Sequence, residues 1–153
     1  MNPMNEMVEP YYALINTSRG DKPAVVVVNS ALRIFPQRHL FPWHLKIVIT
    51  CRELAEQGMP TSGENQLLYS IEDTISAEIL SGRNGVFLAR ITCGGTRELL
   101  FRICDPKVAH GQLQALVSAE PALREWQYTL EEDVNWHLCQ PELRLLESDP
   151  RFN

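Results

Sequence analysis

Thiols, imidazoles and carboxylates are the groups of this chain that could carry chemistry, and their spacing decides what they can do together. Cysteines stand at 51, 93, 104 and 139, with no Cys-x-x-Cys pair among them. Metal ligands normally come in closely spaced pairs, so the pattern predicts free thiols rather than a zinc centre. Three of the four fall in apolar, strand-like runs, where a cysteine packs as a small hydrophobe. A catalytic thiol would need a histidine beside it. Cys51 and His44 lie seven positions apart on one expected strand, far from each other and on opposite faces. His137 and Cys139 are two apart on an expected helix, where side chains diverge. No Gly-x-Ser-x-Gly elbow and no phosphate-cradling loop occurs, and the only glycine pair, Gly94-Gly95, suits a β-turn.

The charged side chains offer more. Arg90, Arg97 and Arg102 gather with Glu98 around one expected hairpin, and His44 is expected on the same open sheet face. Such a set forms structural salt bridges or presents a surface for an anion or a protein partner. Glu131-Glu132-Asp133 suits a strand exit followed by a helix N-cap, where the helix dipole favours negative charge. A divalent cation would need a second carboxylate cluster, and the sequence shows none. The candidate ligand or partner surface is therefore Arg90, Glu98, Arg102, His44, Glu131, Glu132 and Asp133, with no catalytic set, metal ligands or cofactor assigned. Glu72-Asp73 is expected on the solvated face of a helix, and Trp43, Trp126 and Trp136 are expected as core anchors.

These side chains need elements to position them. Tyr11 to Thr17 predicts a first strand, and Asp21-Lys22-Pro23 a turn after Gly20. Ala24 to Val28, β-branched almost throughout, suits a strand buried on both faces. Phe35 to Pro42 is an irregular connection, after which His44 to Cys51 alternates with Leu45, Ile47, Ile49 and Cys51 on one face. Thr61-x-x-Glu64 fits a capping box at the start of a helix over Glu64 to Ser81, in which Leu67, Ile71, Ile75 and Ile79 recur every four residues. Val86 to Thr92 and Arg97 to Cys104 read as a hairpin. Asp105-Pro106 opens a second helix to about Ser118, with Val108, Ala109, Leu113, Leu116 and Val117 expected in the core. Leu123 to Leu130 is a last strand, and Glu132 to Cys139 a short helix limited by Pro141.

From His44 onward the order is βαββαβ. That order predicts an α+β fold, a ferredoxin-like sandwich with two extra N-terminal strands and a short C-terminal helix. Both longer helices should cover one face of an antiparallel sheet. The hairpin loop leaves two registers open. A two-residue loop puts Arg90 and Arg97 on the face of Leu88, Leu99, Phe101 and Ile103. A loop of Gly94-Gly95-Thr96 instead sends Phe87, Ala89, Ile91 and Cys93 to the helix side and Arg90 to the open face near Glu98. The second register separates charge from core better and is preferred. The open face still carries Val48, Leu88 and Leu100, so the N-terminal hairpin or a second subunit is expected to cover part of it.

The whole chain, 153 residues of which 44% are apolar, has the size of one domain, with an ordered core expected over about 11–146. Net charge is -5 and its placement is uneven. Met1 to Ser62 holds five acids against six bases, whereas Glu120 to Asp149 holds eight acids against Arg124 and Arg144. This balance disfavours nucleic-acid binding by phosphate neutralisation and suits a solvated face or a patch that steers a basic partner. Met1 to Pro10 has neither a basic nor an apolar run, and no stretch approaches a bilayer span, so a cytoplasmic protein without signal peptide or membrane segment is expected.

Several strings stand out together: Val28-Asn29-Ser30-Ala31-Leu32, Pro42-Trp43-His44-Leu45, Gly58-Met59-Pro60 with Glu64 and Ile71-Glu72-Asp73, the run from Arg90 to Phe101, and Glu132-Asp133-Val134-Asn135-Trp136. With these the chain resembles domain-of-unknown-function family 695, from about Tyr11 to Leu146. The tail after Trp136, His137-Leu138-Cys139-Gln140-Pro141, departs from the family's usual aromatic and proline. The resemblance implies a small bacterial cytoplasmic α+β domain with no assigned activity, some of whose members look fused to a domain similar to the regulator of ribonuclease E. The function expected is a non-catalytic protein-interaction or regulatory module, with a basic protein as one partner and a homodimer as another possibility. The alternatives are a small anionic-ligand binder or minor hydrolase on the open sheet face, and an immunity-type protein that binds a basic partner.

Overall fold

The computed structural model describes residues 9–119 and 122–152, so the Met1–Val8 stretch and Glu120 of the acidic region lie outside the described residues. The first strand, β1 (Tyr12–Arg19), turns at Gly20-Asp21 into β2 (Lys22–Asn29), with Gly20 at a φ of +63° that favours glycine. Lys22 and Pro23, expected in the turn, already belong to β2. In β2, Ala24, Val26 and Val28 are buried while Val25 and Val27 are only half-buried, so the valine run is less enclosed than its composition suggests. Asn29 then caps a 3-10 segment, Ser30–Ile34, by accepting from the Ala31 N–H.

Strand β3 (Trp43–Thr50) is followed by α1 (Ser62–Ile79), which starts and stops slightly earlier than its apolar spacing predicts. Half of the capping box forms. The Thr61 hydroxyl accepts from the Glu64 N–H at 3.2 Å, but the Thr61 N–H donates to the Glu53 carbonyl instead. The Glu64 carboxylate is drawn away by the Arg52 N–H at 2.8 Å and by a two-pronged contact from Arg124. A charge-assisted fork is stronger than a return bond to a neighbouring amide. Strands β4 (Gly85–Cys93) and β5 (Thr96–Ile103) lead to α2 (Pro106–Ser118), where Asp105 caps the Lys107 N–H and Pro106 takes a first-turn position. Helix α2 buries Ala109 and Leu113, but Val108 and Val117 are exposed, because a helix lying on a sheet buries only one stripe. After β6 (Trp126–Glu132) comes a 3-10 segment, His137–Cys139, and then α3 (Gln140–Leu145). Pro141 was expected to limit a helix over Glu132 to Cys139. It opens α3 instead, where its missing N–H costs nothing.

The fold is mixed α+β: the strands form one six-stranded antiparallel sheet in the order β1-β2-β4-β5-β3-β6. The β4–β5 hairpin corrects the preferred register. Cys93 pairs with Thr96, so the loop is Gly94-Gly95 alone, with both glycines at positive φ as a primed turn requires. Arg90 then pairs with Leu99 and Ile91 with Glu98, until a bulge between Phe87 and Ala89 restores Phe87 opposite Phe101. The bulge keeps Phe87, Leu99, Phe101 and Ile103 on the helix side, yet moves Arg90 and Thr92 there and sends Ala89, Ile91 and Cys93 to the other side.

Both faces are covered. Leu45, Ile47, Ile49, Leu99 and Phe101 pack under α1 and α2 with Leu68, Ile75, Ile79 and Leu113. Opposite, Val26, Val28, Leu88, Ile91 and Leu100 meet Leu32, Phe35, Phe41, Trp136, Leu143 and Leu146. The cover is therefore the connection from Ser30 to Phe41 and the C-terminal segment; the N-terminal hairpin extends the sheet rather than folding over it. Gly95→Val should destabilise the chain by about 1–2 kcal/mol in urea unfolding, because a β-branched residue resists the φ of +83° seen there. Gly94→Asn should be nearly neutral, since asparagine tolerates that region and its Cβ would meet only the flexible Lys22 side chain.

Candidate functional site

The second face is organised around Arg102, a guanidinium with no solvent exposure at all. It projects from β5 and donates to the Asp133 carboxylate at 2.8 Å, the Asp133 carbonyl at 2.6 Å and the Phe41 carbonyl at 3.2 Å. Its Nη1 also reaches His44 Nδ1 and Cys139 Sγ, each at 3.4 Å, and its plane lies 4.4 Å from the Trp136 ring centroid. A buried charge is tolerated when it is paired and hydrogen-bonded, and here all three guanidinium nitrogens have an acceptor. Trp136 itself sits at a φ of +60° and donates its indole N–H to the Arg38 carbonyl.

His44, Asp133 and Cys139 bring potential ligand atoms within 4.8 Å of one another, the grouping a metal ion would require. Arg102 Nη1 already stands against all three, so a permanent cation fills that place. The chemistry of the three groups fits this arrangement. Burial and the Arg102 charge push the His44 pKa down to about 4, so the imidazole is neutral and accepts from the guanidinium. Burial raises the Cys139 thiol to about 12, which leaves it inert as a nucleophile although His44 lies 4.0 Å away. Burial also opposes charge on Asp133, but the Leu138 N–H and Arg102 outweigh it and hold the carboxyl below the usual aspartate range.

His44 is also part of the floor of an open cleft of about 640 Å³ between the sheet and α3. The cleft is walled by Val48, Leu100, Leu138 and Pro141 and edged by Gln127, Thr129 and Glu131 of β6. At its base Glu98 accepts from Arg19 at 2.6 Å and faces Lys46 at 3.5 Å. Glu142 lines the same cleft from the first turn of α3 and is only 7% exposed. Burial raises its pKa above the ordinary glutamate value.

Of the residues the sequence singles out, His44, Glu98 and Glu131 line this cleft, and Arg102 and Asp133 lie in the cluster that adjoins it through His44. Glu132 is exposed at the end of β6. Arg90 is elsewhere. The Gly94-Gly95 register places it on the helix side, where it makes a two-pronged pair with Glu72 at 2.7 and 2.6 Å, so it does not approach Glu98. Glu72 is correspondingly buried rather than solvated. Arg97 is buried beside them, bonded to Thr92 and Asn65 and stacked on Tyr69. Arg19, Lys46 and Glu142 are cleft residues that spacing alone does not reveal, because they come from β1, β3 and α3. The one available signal was Pro141-Glu142, a proline followed by an acid, which is a helix-start pattern. Cys51 and Cys93 are buried as expected, but Cys104 is exposed just beyond β5.

The model of a family of unknown function, DUF695, matches residues 13–140, which takes in β1 from its second residue, β2 to β6 and every residue of the Arg102 cluster. The chain belongs to the DUF695 family. No curated protein and no solved structure matches it. The strings that carried the resemblance have physical roles in this DUF695 chain: Arg90 to Phe101 forms the hairpin, Trp43-His44 and Asp133 to Trp136 supply Arg102 with its partners. Arg102→Met should cost about 3–5 kcal/mol in urea unfolding, because it leaves Asp133 buried without its counter-ion. The His44 proton gives a second expectation. Since its folded pKa lies below the unfolded value of 6.5, stability is complete above pH 6.5 and falls as pH drops toward 4, by at most roughly 3 kcal/mol. Thermal unfolding midpoints from pH 7 to 4 should show this loss in the native chain, and His44→Gln should flatten it.

Proposed function

We propose that this DUF695 domain is a non-catalytic protein-interaction module whose docking site is the outer edge of β6, and that its partner offers a basic extended segment. The observation that carries this reading is the unpaired acidic edge. Strand β6 ends the sheet and pairs only with β3. The Asp133 N–H donates to the Pro42 carbonyl and the Glu125 carbonyl accepts from Thr50, so the odd-numbered residues of β6 face β3. The backbone N–H and C=O groups of Trp126, Tyr128, Leu130 and Glu132 therefore point outward, with no partner strand among the described residues. Such an edge is a template for an added strand, in which main-chain bonds supply affinity and pockets read alternate side chains.

Charge selects the partner. The strand carries Glu131 and Glu132, Glu125 precedes it, all three are exposed, and no lysine or arginine lies within it. Two such edges repel each other, which disfavours a second copy of this chain as the occupant and favours a basic strand. The same charge disfavours nucleic acid. Among the described residues no helix is long and apolar enough to cross a membrane, and an encounter with a cytoplasmic protein suits the domain. The order β4-β5-β3-β6, with a helix after β3 and another after β5, supports reading the last four strands as a ferredoxin-like sandwich extended by β1 and β2.

Hydrogen exchange of the full chain with an eight-residue peptide of alternating lysine and valine tests this. Protection of the outward amides of Tyr128, Leu130 and Glu132 is expected, with binding that weakens as salt rises and is lost in Glu131→Lys/Glu132→Lys. A glutamate-valine peptide should not bind. Protection confined to other strands, or equal binding of both peptides, would overturn the reading.

A further inference from the structure

The cleft beside β6 contains a buried carboxylate with no ion-pair partner in direct contact. Glu142 is enclosed, yet it takes part in none of the ion pairs among the described residues, and its hydrogen bond is to its own backbone amide. The two cations of the cleft, Arg19 and Lys46, make their direct contacts with Glu98 and act on Glu142 only at longer range. With His44 neutral, Glu142 and Glu131 leave the cleft net negative. A buried carboxylate without a contacting counter-ion is costly in the empty domain and becomes favourable when a cation reaches it.

We infer that this cleft is a specificity pocket for one lysine or arginine side chain of the docked strand, with Glu142 as its counter-ion. The inference rests on the β6 docking reading and adds the residue that the site selects. Geometry links the two. Gln127, Thr129 and Glu131 of β6 point their side chains to the cleft face, so alternate side chains of a strand added at about 4.8 Å spacing hang over the same cleft. The walls suit the guest: Val48, Leu100, Leu138 and Pro141 accommodate an aliphatic stem, and Glu142 meets the charged head. Alternate side chains on the other side of the added strand would fall beside Trp126, Tyr128 and Leu130, which are half-buried against the helix-side core. A basic residue on one side and an apolar residue on the other is thus the repeat the edge selects.

The test is a coupling cycle on the full chain, with the lysine-valine peptide and a version whose central lysine is norleucine, measured by titration calorimetry against native protein and Glu142→Gln. Either change alone should weaken binding about tenfold, and norleucine should cost nothing further once Glu142 is glutamine. Thermal unfolding at pH 7 should show Glu142→Gln at least as stable as the native chain, which separates lost recognition from lost folding. If the two changes act additively while the β6 amides still become protected, the pocket assignment is overturned and the docking reading stands. Titration with n-butylammonium, followed at the Gln127 and Thr129 amide signals, reads the pocket without a strand. Shifts in the native chain and none in Glu142→Gln support the pocket even where the peptide fails to dock. No response to either probe overturns both.

Discussion

The burial of Arg102 is the constraint on which the second face of the sheet depends. A guanidinium carries five donors and a fixed charge, and with no solvent exposure all of its partners must come from the protein. They come from well-separated parts of the chain: Phe41 before β3, His44 in β3, Asp133 after β6, Cys139 before α3, and the ring of Trp136. Apart from His44 in the sheet, these contacts pin segments that have little hold of their own. Helix α3 has six residues, too few to be stable alone, and the Ser30 to Phe41 connection contains only short 3-10 turns. Held by Arg102, these segments close a second hydrophobic layer. They also create the wall against which the cleft is formed.

That arrangement gives the acidic stretch an internal division that composition conceals. Asp133 is spent on Arg102, and Asp149 pairs with Arg151. Glu142 is enclosed in the cleft, and Glu125, Glu131, Glu132 and Glu147 remain exposed. The negative potential is therefore concentrated along one free sheet edge and the cleft next to it. The basic groups are divided just as sharply. Arg90, Arg102 and Arg124 each have a carboxylate partner, while Arg97 is held by neutral oxygens and a ring. These four arginines act as internal struts.

Much of the fold was legible in the pattern of residues. Alternation located β3, the four-residue stripe located α1, and Asp105-Pro106 marked the start of α2. The register of β4 against β5 was not legible, because a bulge at Leu88 changes which face each residue takes without disturbing its hydrophobicity. Apolar residues lie on both faces of β4, so alternation could not distinguish one sorting from the other. The misplacement of Arg90 followed from that alone. His44, Glu98, Arg102 and Asp133 were among the seven residues that the sequence singled out, but Glu142, Arg19 and Lys46 were not, since Arg19 and Glu142, more than 120 positions apart, meet only when α3 folds onto the sheet.

By itself the sequence determined the number and kind of elements, the absence of a spaced metal or nucleophile motif, and the acidity of the last third. These are properties of short windows, where period, caps and turn residues act on their own neighbours. Only the tertiary structure decided which charges are neutralised internally and which stay exposed at an edge or enclosed in a cleft. A carboxylate next to a buried guanidinium, one in a cleft and one on a free edge are identical as letters. They differ in desolvation and in the nearest opposite charge, and both are set by contacts between distant parts of the chain.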